Sequence, residues 1–355
     1  MLKRLDNLLE QFNGNNIDAF LITATPNIRY LTNFTGEDAF LLVANNKLFL
    51  IVDSRFTVQA EGEVFEGVKV LEYKAPFINY LKDILLKEKV HWLGVEKNRI
   101  MLDLYLSLSS LSFLKIVFLN NVVEDLRIVK DLQEVEKIKK ACAISSKSFS
   151  ETLAVIKEGI TEIDIASELE YRFRRNGGLK PSFDTIVASG KRGALPHGLA
   201  SNKKIFPHEL IVMDFGVFFD GYASDTTRMV CVGEPTEEEK KVFEVVRKAQ
   251  EIGRNFVCKG ISASEVDIKV RKFIQNEGYG DYFIHGLGHG VGLEIHESPR
   301  LNTDSKTILD ENMVITVEPG IYLPEKFGIR VEDTMLVGSE SSVILTELPR
   351  EIYIV

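Results

Sequence analysis

The C-terminal part of the chain contains one passage written twice, about 100 residues apart. Glu158-Gly-Ile-Thr-Glu-Ile-Asp-Ile165 resembles Lys259-Gly-Ile-Ser-Ala-Ser-Glu-Val-Asp-Ile268. In each copy a Thr or Ser cap opens a helical pattern that runs to glycine, Gly177-Gly178 in one and Gly278 in the other. Further on, Glu209-Leu-Ile-Val-Met-Asp-Phe-Gly216 resembles Glu311-Asn-Met-Val-Ile-Thr-Val-Glu-Pro-Gly320. Both read as apolar strands that end in a carboxylate, one residue and a glycine. Ser224-Asp225-Thr226 then resembles Val331-Glu332-Asp333-Thr334, and each leads into another apolar strand. Three matched pairs in one order mark a single duplication, since a solenoid needs three or more units. Two related α/β halves facing each other across a pseudo-twofold axis are expected.

The residues before the duplication read differently. Residues 1–13 carry Leu and charge at helical spacing, and Ile17 to Thr23 reads as a buried strand. Two apolar runs around Asn45-Asn46-Lys47 read as a hairpin. Val68 to Tyr73, Trp92 to Glu96 and Ile116 to Leu119 are further strand candidates, with a helix over Phe77 to Lys87. A mixed α/β domain over residues 1–125 is expected, joined by a charged linker to a second domain over 126–355. At 355 residues, each domain can bury a core without disulfide staples.

Composition removes several function classes. The net charge is −9 and no run of five or six Lys or Arg occurs, so no nucleic-acid partner is expected. Cys142, Cys231 and Cys258 are widely spaced without a CxxC pair, which suits a reducing compartment. The longest apolar stretch is interrupted at Asn45-Asn46-Lys47 and is too short to span a bilayer. A cytoplasmic protein without a membrane partner is expected.

The duplication also repeats acidic residues: Asp214 and Asp225 in one half, Glu318 and Glu332 in the other. Alone, an Asp at a strand end is usually a turn or cap residue, and Glu-Pro-Gly is usually a turn. Paired about a shared axis, the four would converge. Buried carboxylates cannot coexist bare, because desolvation and repulsion oppose them, so divalent cations are expected. His289, within His285-Gly-Leu-Gly-His-Gly-Val-Gly292, supplies one imidazole beside glycines that permit close approach. Four oxygen donors and one nitrogen suit Mn²⁺, Co²⁺ or Fe²⁺. Two such ions form a hydrolytic clamp that shares a hydroxide and polarises a carbonyl.

Taken together, five motifs resemble the "pita-bread" metallopeptidases, in the branch of aminopeptidase P and prolidase. They are Asp214-Phe-Gly, Asp225-Thr-Thr-Arg228, His285-Gly-Leu-Gly-His289-Gly-Val-Gly, Val317-Glu318-Pro-Gly-Ile-Tyr322 and Ile329-Arg-Val-Glu332-Asp333. Residues 1–125 are similar to the creatinase-type N-terminal domain of that branch. The resemblance implies an α/β two-domain protein: a creatinase-like N-terminal α/β domain and a pseudo-twofold pita-bread α+β catalytic domain. It implies five metal ligands, with Asp214 on one ion, Asp225 and Glu332 bridging, and His289 and Glu318 on the second. Glu318 doubles as general base. His197, in Leu195-Pro-His-Gly198, and His296, in Ile295-His-Glu-Ser-Pro299, are implied to touch the substrate. His285, Tyr222, Arg228 and Arg330 are candidates for orienting the ligands. Arg330 lies two residues before Glu332, which on a strand gives one face.

The implied activity is hydrolysis of the bond between an N-terminal residue and proline, through a metal-bridging hydroxide. Mn²⁺ or Co²⁺ is expected, with Fe²⁺ or Zn²⁺ as alternatives, and a homodimer by resemblance. Substrates would be short peptides with proline second. Arg300 would clamp a substrate carboxylate and so favour dipeptides; without it, longer peptides enter, and the two specificities stay open. Competing readings on the same fold are a creatinase-like C–N hydrolase acting on a non-peptide and a non-catalytic binding protein. Five intact ligand positions oppose both.

Overall fold

The chain divides between Arg127 and Ile128 into two units, and the computed structural model describes residues 2–74 and 76–355. In the first unit the order is α1 (Leu2–Asn15), β1 (Ala19–Ile22), α2 (Thr25–Thr32), β2 (Phe40–Ala44), β3 (Lys47–Val52), α3 (Thr57–Glu63), β4 (Val68–Glu72), α4 (Phe77–Lys87), β5 (Trp92–Glu96), α5 (Leu102–Ser109), β6 (Lys115–Leu119) and α6 (Val122–Arg127). One sheet, ordered β4-β3-β2-β1-β5-β6, holds it together. All of β1 is buried, as an unbroken apolar run requires of a strand covered on both faces. Asn45 and Asn46 turn the β2–β3 hairpin with φ of 49° and 59°, a conformation asparagine tolerates. Glu96 closes β5 and accepts from the backbone of Thr23 and Ala24 at 2.7 and 2.9 Å. It thereby supplies the cap that Ala24 lacks at the start of α2.

The expected linker is partly a helix. Charge alone suggested an open connector, but α6 buries Val123 and Arg127. Arg127 donates to Asn27 Oδ1 at 2.6 Å, so the guanidinium is hydrogen-bonded within the protein rather than left to solvent.

The second unit runs α7 (Leu132–Thr152), α8 (Glu162–Arg175), β7 (Lys180–Pro181), β8 (Ile186–Ser189), β9 (Leu210–Phe215), β10 (Val217–Phe219), β11 (Tyr222–Ala223), β12 (Thr226–Cys231), α9 (Glu237–Phe256), α10 (Ala263–Asn276), β13 (Gly288–Gly290), β14 (Glu297–Leu301), β15 (Val314–Val317), β16 (Gly320–Leu323), β17 (Phe327–Arg330), β18 (Asp333–Leu336), β19 (Val343–Ile344) and β20 (Ile352–Ile354). The duplication is visible in these elements. Thr161 opens α8 and Ser262 opens α10, each in a reciprocal cap with the residue three positions on. The cap residues make matching bridges, Thr161 to Lys204 and Ser262 to Ile308. β9 pairs antiparallel with β12 around the hairpin β10–β11, and β15 pairs antiparallel with β18 around β16–β17.

Side chains of β9 alternate between two apolar cores. Leu210 and Val212 pack with Ile315, Val317 and Met335 from the other half. Ile211, Met213 and Phe215 pack with Phe149, Ile165 and Leu169 of α7 and α8. Both faces of the strand are therefore dry, and Asp214 near its end is buried as a consequence. Gly216 follows at the closest approach of two segments, where a Cβ would overlap the Ser224 carbonyl oxygen and the Ser182 hydroxyl. Gly216→Ala is expected to cost about 1–3 kcal/mol by overpacking, read as a lowered urea midpoint at unchanged slope.

Candidate metal centre

Antiparallel pairing brings the acidic residues to one place. Asp214 is the penultimate residue of β9, and Asp225 immediately precedes β12. Their strands are registered with Asp214 opposite Thr227. Glu318 immediately follows β15 and Glu332 immediately precedes β18, with Val317 opposite Asp333. Each half thus contributes one carboxylate from an outgoing strand and one from an incoming strand. His289 lies in the middle of β13, whose neighbours are β14 and β15.

Ligand atoms of Asp225, His289 and Glu332 lie within 4.8 Å of one another. His289 Nε2 is 3.4 Å from Asp225 Oδ2 and 3.3 Å from Glu318 Oε1. Burial pushes Asp225 well above the usual carboxylate range, reinforced by Asp214 and Glu318. Burial does the same to Glu332, with Asp225 and Glu318 adding to it. Glu318 is also raised by burial, with His289 and Arg330 opposing.

Neighbouring side chains hold these groups in place. Thr227 donates to Glu332 Oε2 at 2.7 Å and accepts from Arg330 Nε at 3.0 Å. Thr316 donates to Glu318 Oε1 at 3.2 Å and accepts from the His289 backbone at 3.1 Å. Arg330 pairs directly with Asp214 and donates to Tyr322 Oη at 2.7 Å. β17 ends at Arg330, so strand alternation does not carry on to Glu332; the two meet through Thr227 instead. Arg228 is fully buried, donates to the backbone carbonyls of Thr227 and Glu332, and pairs with Asp333 at 2.7 Å. Tyr222 donates to Glu134 at the start of α7 at 2.9 Å. Thr227, Thr316 and Tyr322 escaped sequence reasoning. For Thr316 the available signal was its place two residues before Glu318, at the end of an apolar run.

His285 lies between Gly286 O at 2.8 Å and Tyr322 Oη at 3.0 Å. Burial, with Arg330 nearby, pushes its pKa down to about 4, so the ring is neutral at neutral pH. With Nδ1–H donating to the carbonyl, hydrogen bonds run in one direction from Arg330 through Tyr322 to His285. The ring of His296 packs edge-on against His289, centroids 4.4 Å apart. Partial desolvation and the neighbouring His289, Arg300 and His197 hold it down at about 4, although the residue is exposed. His197 is exposed in a loop whose Pro196 carbonyl accepts from Arg330 at 3.2 Å. Arg300 is exposed on β14 directly opposite His289, so the two side chains leave the same face. His91 and His208 are exposed surface residues.

The pattern of metallopeptidase family M24 matches residues 136–339, and that of the creatinase/prolidase N-terminal domain matches residues 4–129. The chain belongs to family M24. It is 38% identical to the Xaa-Pro dipeptidase of Pyrococcus furiosus, over 99% of this chain and 100% of that protein. The structure of an Xaa-Pro dipeptidase from Bacillus anthracis matches with a TM-score of 0.97 at 36% identity, covering 100% and 99% of the two chains. That of an X-Pro aminopeptidase from Thermotoga maritima matches with a TM-score of 0.91 at 42% identity, covering 98% and 100%.

M24 enzymes are metallopeptidases, and the residues of this chain fit divalent cations. Asp214 Oδ1 and Glu332 Oε1 are buried with no hydrogen-bond partner. His289 Nδ1 lies 3.1 Å from the Gly290 carbonyl, which fixes the proton there and leaves a lone pair on Nε2. That lone pair faces two carboxylate oxygens. Like charges 4 Å apart repel by about 4 kcal/mol at an effective dielectric near 20. A few such pairs rival the ~5–15 kcal/mol stability of a domain. Among the described residues, only Arg330 brings a fixed positive charge into direct pairing with one of these carboxylates, Asp214.

The sign of the pH dependence follows. Asp225, Glu318 and Glu332 have raised pKa values in the metal-free fold, so protonation stabilises it relative to the unfolded chain. Metal-free protein is expected to lose thermal stability as pH rises above about 4, while added divalent metal restores it more strongly at higher pH. Glu332→Gln is expected to raise the Tm of chelated protein and abolish the metal-induced increase. Thermal unfolding across pH, with and without chelator, checks both.

Proposed function

We propose that this M24 peptidase is an Xaa-Pro dipeptidase with two divalent ions, Mn²⁺ or Co²⁺, held by Asp214, Asp225, His289, Glu318 and Glu332. The observation that carries the dipeptide specificity is Arg300 on β14, directly opposite His289 on β13. A dipeptide ends one residue, about 3.5 Å, beyond the scissile bond. Facing positions of a β ladder are about 5 Å apart, so a guanidinium there reaches that carboxylate. The names of the relatives support Xaa-Pro hydrolysis, and residues 126–355 would carry it.

When bound, the ions activate water and polarise the scissile carbonyl. The rest falls to side chains of this chain. Glu318 takes a proton from the attacking water at Oε1 or Oε2. It returns that proton to the proline nitrogen, which must be protonated to leave as a secondary amine. His296, neutral at working pH, donates a ring N–H to the carbonyl oxygen as charge develops, and His197 assists from the opposite loop. The proline nitrogen carries no hydrogen, so no donor to it is required of the site before cleavage. The reading includes a cytoplasmic homodimer. No helix among the described residues is long and apolar enough to cross a membrane.

The test is hydrolysis of Ala-Pro, Ala-Pro-Ala and Ala-Ala-Ala after chelation and repletion with Mn²⁺ or Co²⁺. Cleavage of Ala-Pro alone, only with metal, is the expected result. Arg300→Ala should raise KM for Ala-Pro about 10- to 100-fold with metal content unchanged. His296→Ala should lower kcat by about 10²–10⁴. Preference for Ala-Pro-Ala would make the enzyme an aminopeptidase. No cleavage with both metals restored would overturn the peptidase reading in favour of a creatinase-like or binding role.

A further inference from the structure

The turn that presents His296 is wrapped around a buried carboxylate. Between β13 and β14 the chain reverses over residues 291–296, with Gly290 opposite Glu297 at the base. Glu297 tucks its side chain beneath the turn, where Oε1 accepts from the Glu294 backbone at 3.0 Å. Gly292 leaves room for it, since a Cβ there would lie 2.5 Å from Glu297 Oε2. Oε2 receives Lys130 Nζ at 3.2 Å, from 167 residues earlier in the chain. Both side chains are nearly dry, 1% and 6% exposed. Lys130 is itself fixed. Its backbone donates to Asn312 O at 2.9 Å, and its ammonium donates to Ile128 O at 3.1 Å. The turn is also tied to the metal ligands, because Ala223 donates to Gly292 O at 2.8 Å, two residues before Asp225.

We propose that Lys130 and Glu297 are positioning residues that lock the 291–296 turn and thereby hold His296 against His289 at the reacting carbonyl. Neither residue is one of the proposed ligands Asp214, Asp225, His289, Glu318 and Glu332. Removing the ammonium weakens the anchoring of a buried carboxylate, and the turn built over that carboxylate is expected to loosen. The catalytic consequence rests on the role proposed above for His296; the structural lock does not.

The experiment compares wild type, Lys130→Met and Lys130→Arg as full chains loaded with Mn²⁺. Hydrogen exchange by mass spectrometry reports the turn directly. Lys130→Met should speed exchange in peptides covering 291–297 while those covering β9 and β12 stay protected, and Lys130→Arg should restore the wild-type pattern. Kinetics with Ala-Pro should show kcat lowered by up to about a hundredfold in Lys130→Met, with bound Mn²⁺ unchanged. In a His296→Ala background the same substitution should cost nothing more. Unchanged exchange at 291–297 overturns the lock. Faster exchange with wild-type kcat, or an undiminished cost without His296, overturns the positioning role. If wild type cleaves no Xaa-Pro substrate, the functional reading fails, and the exchange data still decide the lock. Should Lys130→Met not fold, Glu297→Gln, which keeps shape and weakens the pair, is read in the same two ways.

Discussion

Four carboxylates largely withdrawn from solvent are the condition around which the catalytic unit is organised. Each sits where an apolar strand ends or begins, and the Asp214 and Glu318 side chains keep the most exposure among them, 13% and 18%. Water that would normally stabilise these groups is replaced by fixed partners: Thr227 on Glu332, Thr316 on Glu318 and Arg330 on Asp214. Those partners do not use up the oxygens. Asp214 Oδ1 and Glu332 Oε1 remain buried and unbonded, and the His289 lone pair points among them. The protein holds an electrostatic conflict that a cation resolves, and its stability is coupled to metal and to pH for the same reason.

The two halves share topology but not chemistry. Capped helix, antiparallel pair and inserted hairpin recur in each, and so do the carboxylates at the strand ends. His285, His289 and His296 come from the second half, as do Arg300 and Arg330, while His197 comes from the first. Duplication provided a symmetric cradle of charge. Divergence of one copy provided imidazoles and guanidinium groups whose positions suit an asymmetric reaction, with water on one side of a carbonyl and a leaving nitrogen on the other. Neutral His285 and His296 fit this division. Each is kept uncharged by burial and by nearby positive groups, so each can orient a neighbour without adding charge to the cluster.

Much of this was written locally. The Thr161 and Ser262 caps and the helices they open follow from hydroxyl and carboxylate at fixed offsets. The β2–β3 hairpin follows from two asparagines between apolar runs. The gathering of the acidic residues was legible for a different reason: duplication gives a weak local signal a second, independent copy. Where charge was read without its partner the reading failed, as at the expected linker, where Arg127 proved to be buried against Asn27.

The sequence by itself determined the elements, their order, the two-domain division and the residue types available to hold metal, because periodicity, capping and repetition act over a few residues or within a repeat. Tertiary structure alone decided which partner each charge received. Arg330 went to Asp214, 116 residues away, and Lys130 to Glu297, 167 residues away. No spacing rule reaches that far. Such pairings are fixed by the packing of the sheets and the exclusion of water, which leave each buried charge only the countercharge that folding brings beside it.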